Sequence, residues 1–347
     1  MKLVADDKIP HIADFFTPCD EIVYLPGELI TRADLLDADM LLTRTVTRVD
    51  KNLLENTAVR FVGAATTGTD HIDKDYLAEK NITLATAAGA NTQAVVEYII
   101  CCIASLKKEK LLEEKKVAGI IGCGRIGRII AKLFQTLGFD VICYDPLLTE
   151  KLHFNFVSLE KLMSTADIIS IHTPLTKTGL HPTFHLIDEK LLGKIKKDVI
   201  LINAARGGVI DQSALLQEKN IMSCLDVWEH EPHISRELLD KVFIGTPHIA
   251  GYSVQAKYRA TEMIYEAAAI FFGWKKLNMK KIIAEDKHNT DFLREKNWAE
   301  IVLSHYDPLA HTQSFRDAFV LCTTVKEIEE IFIRERKKYP LRNFTLE

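Results

Sequence analysis

The segment Lys116-Val117-Ala118-Gly119-Ile120-Ile121-Gly122-Cys123-Gly124-Arg125-Ile126-Gly127-Arg128 constrains the fold of this chain more than any other. An apolar run, Val117–Gly122, enters a Gly-x-Gly-x-x-Gly loop, and a helical pattern, Arg125–Leu137, follows at once. Gly122 permits a tight turn, Gly124 lets a pyrophosphate approach the backbone, and Gly127 lets the helix pack on the strand. Arg125 and Ile126 open that helix, whose unpaired N–H groups suit an anion. The next apolar run ends in Tyr144-Asp145, at roughly the 20-residue spacing where an acid meets ribose hydroxyls. A carboxylate there repels a 2′-phosphate, so NAD is expected over NADP. The alternative is a structural glycine turn with Asp145 facing solvent.

The rest of the chain repeats the strand-helix theme. Expected strands are Ile22–Leu25, Met40–Thr43, Phe61–Ala64, Ile82–Ala85, Val117–Gly122, Asp140–Tyr144, Ile168–His172, Val199–Asn203, Met222–Leu225 and Val242–Gly245. Helix-length segments separate them, and continuous apolar strands argue for parallel sheets covered on both faces. The expected fold is α/β with two doubly wound domains. One comprises residues 1–90 and 254–275, the other 91–253. A helix starting at Asn91-Thr92 and a return helix, Val254–Phe272, would bridge them, and a ligand is expected at the cleft so formed. Beyond Lys275 the pattern turns to charged helices, Asp291–Ser304 and Thr324–Lys338, so 276–347 reads as a small third unit.

With 347 residues, 47% hydrophobic and 27% charged, the chain is of the soluble globular kind. A net charge of -4 gives no electrostatic pull toward nucleic acid or an anionic membrane. The start, MKLVADDKIPH, has acids where an export signal needs apolar residues, and no apolar run is long enough to span a bilayer. Seven cysteines without a C-x-x-C or zinc spacing suggest reduced thiols in the cytoplasm and no metal site.

Three further strand ends carry chemistry: Asn203-Ala204-Ala205-Arg206-Gly207, Asp226-Val227-Trp228-Glu229-His230-Glu231-Pro232 and Thr246-Pro247-His248. In doubly wound sheets ligands bind beyond the carboxyl ends of strands. Arg206 offers a planar fork to a carboxylate. His248 can take a hydroxyl proton as a hydride leaves the same carbon. Glu231 would fix the ring and favour its protonated form. With a nicotinamide, this set oxidises a 2-hydroxy acid or reduces a 2-oxo acid. Arg206 as a surface charge, Glu231 as a turn cap and His248 as a core histidine are the plainer readings.

These motifs, with His172-Thr173-Pro174-Leu175, resemble the D-specific 2-hydroxyacid dehydrogenases to about residue 273. The resemblance implies a Rossmann domain for NAD, a flavodoxin-like substrate domain and a homodimer. It assigns catalysis to Arg206, Glu231 and His248. It assigns cofactor contacts to Gly122, Gly124, Arg125, Ile126, Gly127, Asp145, Thr173, Pro174, Ala204, Asp226 and Gly251. Leu42-Thr43-Arg44-Thr45-Val46-Thr47, Ala65-Thr66-Thr67-Gly68-Thr69-Asp70-His71, Gly251-Tyr252-Ser253 and the tail Tyr339-Pro340-Leu341-Arg342 are similar to one branch of the family. That branch acts on a phosphorylated 2-hydroxy acid and adds a small C-terminal α/β dimerisation domain. It implies substrate contacts at Thr45, Thr66 and Tyr252. A doubly charged phosphate needs cationic and OH donors, which Arg44 with Thr45 and Thr47 would supply. Arg44 and Arg48 as solvated turn charges remain the alternative. Two rival functions also stay open: another dehydrogenase of the family, acting on glycerate, glyoxylate or 3-phosphoglycerate, and an NAD-sensing binding protein.

Overall fold

The computed structural model describes residues 1–148, 152–275, 291–320, 322 and 324–343. Residues 276–290, part of the expected third unit, lie outside them. The chain divides into two compact units, Met1–Thr92 with Tyr252–Asp286 and Gln93–Gly251 with Lys287–Glu347.

The first unit is built on five parallel strands, β1 (Lys2–Asp6), β2 (Glu21–Leu25), β3 (Met40–Thr43), β4 (Phe61–Ala64) and β5 (Thr83–Thr86), in the order β2-β1-β3-β4-β5. This is the flavodoxin-like order. Alternate residues split between two cores, as the period of a strand dictates. Leu3, Ala5, Met40 and Leu42 pack with Tyr258, Ile264 and Tyr265 of the helix Val254–Phe272. Val4, Leu41 and Val62 pack with Leu53, Leu54, Tyr76 and Leu77 on the other face. The interior strand β1, between β2 and β3, was not among the expected strands. Its residues, Lys2-Leu3-Val4-Ala5-Asp6, carry a charge at each end and form a strand because β2 and β3 flank them in register.

The second unit holds seven parallel strands: β6 (Val117–Ile121), β7 (Asp140–Tyr144), β8 (Asn155–Phe156), β9 (Ile168–Ile171), β10 (Val199–Asn203), β11 (Ile221–Leu225) and β12 (Ile244–Gly245). Their order is β12-β11-β10-β9-β6-β7-β8, the Rossmann arrangement extended by one strand. The order reverses between β6 and β9, which places the glycine loop at the switch point. All the sheet's pairings are parallel, so the ends of β6, β9, β10, β11 and β12 share one edge.

The described part of 276–347 groups with this second unit. A helix not expected from the sequence, Pro308–Ala318, brings Phe315 into the cluster that holds Leu238, Leu239 and Val242, with Phe319, Ile331 and Phe332 beside it. Thr312 Oγ1 accepts from Gly245 N at 3.0 Å. Each buried Phe contributes about 1.5–3 kcal/mol, ample reason for these helices to dock.

Candidate active site

The glycine loop has the shape a dinucleotide needs. Gly122 has φ of 89°, and a side chain there would press on the His172 carbonyl group at 2.9 Å. A side chain at Gly127 would sit 1.9 Å from Gly122 O, so the helix Arg125–Thr136 can approach the strand only through glycine. Gly124 faces open space and begins that helix without a side-chain cap. Arg125 and Ile126 follow on its first turn. Asp145, just past β7, accepts from Cys123 N at 2.8 Å and Leu147 N at 3.1 Å, so its carboxylate lies against the loop. The Thr173 hydroxyl is buried without a hydrogen-bond partner among the described residues, and its methyl lies 3.0 Å from where a Gly122 side chain would be. Pro174 follows it, its carbonyl accepting from Thr183 Oγ1 at 2.6 Å. An orphaned hydroxyl, an open glycine and a loop-bound carboxylate together fit NAD.

The loops after β10, β11 and β12 are tied to one another. Buried Asn203 donates to Arg206 O at 3.0 Å and accepts from Ala205 N at 3.0 Å, which curls the turn containing Ala204. A side chain at Gly207 would meet the Trp228 backbone at 2.0 Å, so this turn lies directly on the next loop. Arg206 donates to Ala205 O at 2.8 Å.

Glu231 and His248 form a pair. His248 Nδ1 is 2.6 Å from Glu231 Oε2, and Trp228 N donates to Glu231 Oε1 at 2.8 Å. The His248 and Glu231 side chains are 31% and 19% exposed, partly sheltered yet reachable. Burial pushes the Glu231 carboxyl up, but the charge and hydrogen bond of His248 and the Trp228 N–H outweigh it and hold the group below its usual value. His248 has φ of 56°, costly for a bulky side chain by about 1–3 kcal/mol. Its loop is therefore held from outside. Asp226, 1% exposed, accepts from Thr246 Oγ1 at 2.7 Å, Ile249 N at 2.7 Å and Ala250 N at 2.9 Å. Burial pushes its carboxyl above the usual range despite nearby His248 and these bonds. Gly251 ends this loop. The carboxylate of neighbouring Glu229 is engaged elsewhere, by His185 Nε2 at 2.6 Å and by Gln212 N, which donates to it at 3.4 Å, while Glu229 N donates to Gln212 Oε1 at 3.1 Å; this separates its role from that of Glu231.

Arg44, Thr45, Thr66 and Tyr252 belong to the first unit. Arg44 Nε donates to Asp6 Oδ2 at 2.9 Å, and Gly27 leaves room for that carboxylate, since a side chain there would meet it at 2.1 Å. Arg44 stays 30% exposed above its fully buried partner. Thr45 is exposed, and Thr66 donates to Gly68 O at 2.8 Å. Thr47 is buried and donates to Gly27 O at 2.8 Å, so it is a turn fastener and not a donor for a ligand. Lys257, which the sequence reading missed, stands 5.6 Å from the Tyr252 ring centroid. Burial first, and then the charge of Arg44, holds its ammonium below the usual lysine value. A lysine in a helix of mixed polarity carries no local sign of this. Tyr98 and Arg342, bound to the His248 loop, carried no site role in the sequence, although Arg342 ends the tail that resembles one branch of the family.

A family model described as the D-isomer specific 2-hydroxyacid dehydrogenase NAD binding domain matches residues 104–250. The erythronate-4-phosphate dehydrogenase of Coxiella burnetii (strain RSA 493 / Nine Mile phase I) is 41% identical over 347 residues, 99% of this chain and 93% of that one. The enzyme of the same name from Acinetobacter baumannii (strain ACICU) is 40% identical, over 99% of this chain and 97% of its own. Among solved structures, the D-lactate dehydrogenase of Aquifex aeolicus, complexed with NAD and lactic acid, aligns with a TM-score of 0.65 and 25% identity over 79% of this chain and 96% of that one. The TT0316 protein of Thermus thermophilus shares the fold at a TM-score of 0.68 and 22% identity, over 79% and 98% of the two chains. The chain belongs to the D-isomer specific 2-hydroxyacid dehydrogenase family, among relatives named erythronate-4-phosphate dehydrogenase.

Proposed function

We infer that this chain is an NAD-dependent oxidoreductase that oxidises 4-phospho-D-erythronate to (R)-3-hydroxy-2-oxo-4-phosphooxybutanoate, a step toward pyridoxal 5′-phosphate. The observation that carries the chemistry is the 2.6 Å contact of His248 Nδ1 with Glu231 at the edge that also bears the glycine loop. The substrate rests on relatives of that name along nearly the whole chain.

NAD, when bound, supplies the hydride acceptor. The glycine loop with Arg125 and Ile126 holds its pyrophosphate, Asp145 its ribose, and Thr173, Pro174, Ala204, Asp226 and Gly251 the remainder. Arg206 binds the substrate carboxylate beside the reacting carbon. Glu231 accepts from Nδ1–H of His248, which leaves Nε2 with a lone pair for the C2 hydroxyl proton. As Nε2 takes that proton the ring becomes cationic, and the adjacent carboxylate stabilises it. In reverse, Nε2 returns the proton to the 2-oxo oxygen. Arg44 and Lys257 provide cations for the phosphate, with Thr45, Thr66 and Tyr252 as polar neighbours.

No helix among the described residues is long and apolar enough to cross a membrane, and every described cysteine is free. Both fit work in the cytoplasm. Ile301, Val320, Val325 and Ile333 are exposed apolar residues of the C-terminal segment and support a homodimer formed there. The test is NADH formation with 4-phosphoerythronate, erythronate, glycerate and 3-phosphoglycerate. Strong preference for 4-phosphoerythronate is expected. Preference for another acid would assign a sister activity, and NADH binding without turnover would assign a sensor.

A further inference from the structure

We infer that Arg342 is a positioning residue for His248, clamping the catalytic loop from the side opposite Asp226; this rests on the proposed role of His248. Arg342 is 4% exposed, close to the last described residue, far in sequence from the site. Its Nη1 donates to Tyr339 Oη at 3.0 Å and, more weakly, to Ile249 O at 3.4 Å. Its Nη2 donates to Ala94 O at 2.9 Å and to Ala250 O. The guanidinium carbon lies 5.9, 5.4 and 5.9 Å from the ring centroids of Tyr98, Tyr306 and Tyr339. A buried cation is costly unless its donors are met; here carbonyls and a phenol take both terminal nitrogens and three aromatic faces surround the group, while Nε has no hydrogen-bond partner among the described residues.

The grip falls where His248 needs it. The peptide between Ile249 and Ala250 is held at both ends, its carbonyl by Arg342 and its N–H by Asp226 Oδ2 at 2.9 Å. Ala250 O is held by Arg342 as well, and Ile249 N by Asp226. The circuit closes through Tyr98, whose hydroxyl lies 2.7 Å from Thr246 Oγ1, itself donating to Asp226 Oδ1 at 2.7 Å. Ala94 and Tyr98 both belong to the helix Thr92–Lys108, so one helix, the β11 loop and the C-terminal segment enclose the loop together. A carboxylate takes its N–H groups and a guanidinium takes its C=O groups. That two-sided hold keeps His248 at its positive φ. Only a planar fork reaches these acceptors at once, so lysine is not an equivalent.

The test compares wild type, Arg342→Lys and Arg342→Ala. Kinetics use 4-phosphoerythronate and NAD, NADH binding is read by fluorescence, and folding by circular dichroism. A displacement of His248 by about 1 Å costs on the order of 10²-fold. The expected result is a kcat loss of that order in Arg342→Ala. KM and NADH affinity should stay near wild type, and low millimolar guanidinium should partly restore kcat. Hydrogen exchange of the peptide spanning Thr246–Gly251 should quicken. If Arg342→Ala does not fold, Arg342→Lys, which keeps the charge among the tyrosines, carries the same readouts. A folded variant with wild-type kcat, or one whose kcat, KM and NADH binding all fail together without rescue, would overturn the inference. Lack of turnover by wild type would instead overturn the functional reading, and the exchange measurement would still report on the clamp.

Discussion

Replacing Glu231 with glutamine should harm oxidation more than replacing it with alanine. The carboxylate uses both oxygens: Oε2 accepts from His248 Nδ1 at 2.6 Å and Oε1 from Trp228 N at 2.8 Å. Glutamine has one oxygen. If that oxygen faces Trp228 N–H, the NH₂ group faces Nδ1 and forces it to be an acceptor. The ring proton then sits on Nε2, where the lone pair for the substrate hydroxyl should be. If the amide flips, Nδ1–H is satisfied but the buried Trp228 N–H is not, at a cost of about 1–3 kcal/mol. At about 1.4 kcal/mol per factor of ten, the productive form falls roughly 5- to 150-fold, and kcat for oxidation with it. Alanine removes the orienting partner but imposes no tautomer, since water can accept from Nδ1–H. The assay is steady-state NADH formation by wild type, Glu231→Gln and Glu231→Ala at one pH, with NADH binding as the control for integrity. Glu231→Gln matching wild type, or exceeding Glu231→Ala, would refute the two-acceptor argument.

The low Glu231 pKa has a stability consequence. A depressed carboxylate stabilises the fold above its unfolded pKa and stops doing so as pH falls through the folded one, so the urea-stability gap between wild type and Glu231→Ala should close in acid; a constant gap would exclude the coupling. Asp145→Ser should lower affinity for NAD and admit NADP, and it should also loosen the glycine loop by removing the acceptor of Cys123 N; wild type using NADP as well as NAD would contradict this. Arg44→Ala and Lys257→Ala should each shrink the preference for 4-phosphoerythronate over erythronate, with Arg44→Ala also leaving buried Asp6 without its cation and so lowering the melting temperature; an unchanged preference in both would place the phosphate elsewhere.

Much of the fold was legible because it is written locally. The apolar runs at Met40–Thr43, Phe61–Ala64, Asp140–Tyr144 and Val199–Asn203 are strands with those same bounds. The long helix Val254–Phe272 also begins and ends where its pattern does. Strand β1 was missed because Lys2 and Asp6 mask its short apolar centre. The helix Pro308–Ala318 was missed because its buried residues, Thr312 and Phe315 among them, are spaced among polar ones and gain their meaning from the cluster they join. Thr47 shows the opposite failure. Beside Arg44 it reads as a ligand donor, and only the return of the chain at Gly27 shows where its hydroxyl goes.

The same division runs through the site. Groups proposed to touch substrate or cofactor stand at strand ends, where glycines, a proline and a lone charged residue mark them. Groups that hold those in place have no such mark, since their partners lie far along the chain. Tyr98 and Thr246 are 148 residues apart, and Arg342 and Ala94 are 248 apart. Neither pair follows a period or a motif. The His248 loop makes the consequence concrete. Its φ of 56° is unfavourable on its own, so Thr246-Pro247-His248 cannot hold the geometry that its residues make useful. Asp226 alone would satisfy the N–H groups and leave the carbonyls of Ile249 and Ala250 without the Arg342 fork. A chain that kept every strand-end motif but lost the tyrosine-lined seat of Arg342 would therefore keep the acid, base and cofactor loop, and lose the alignment that lets them act together.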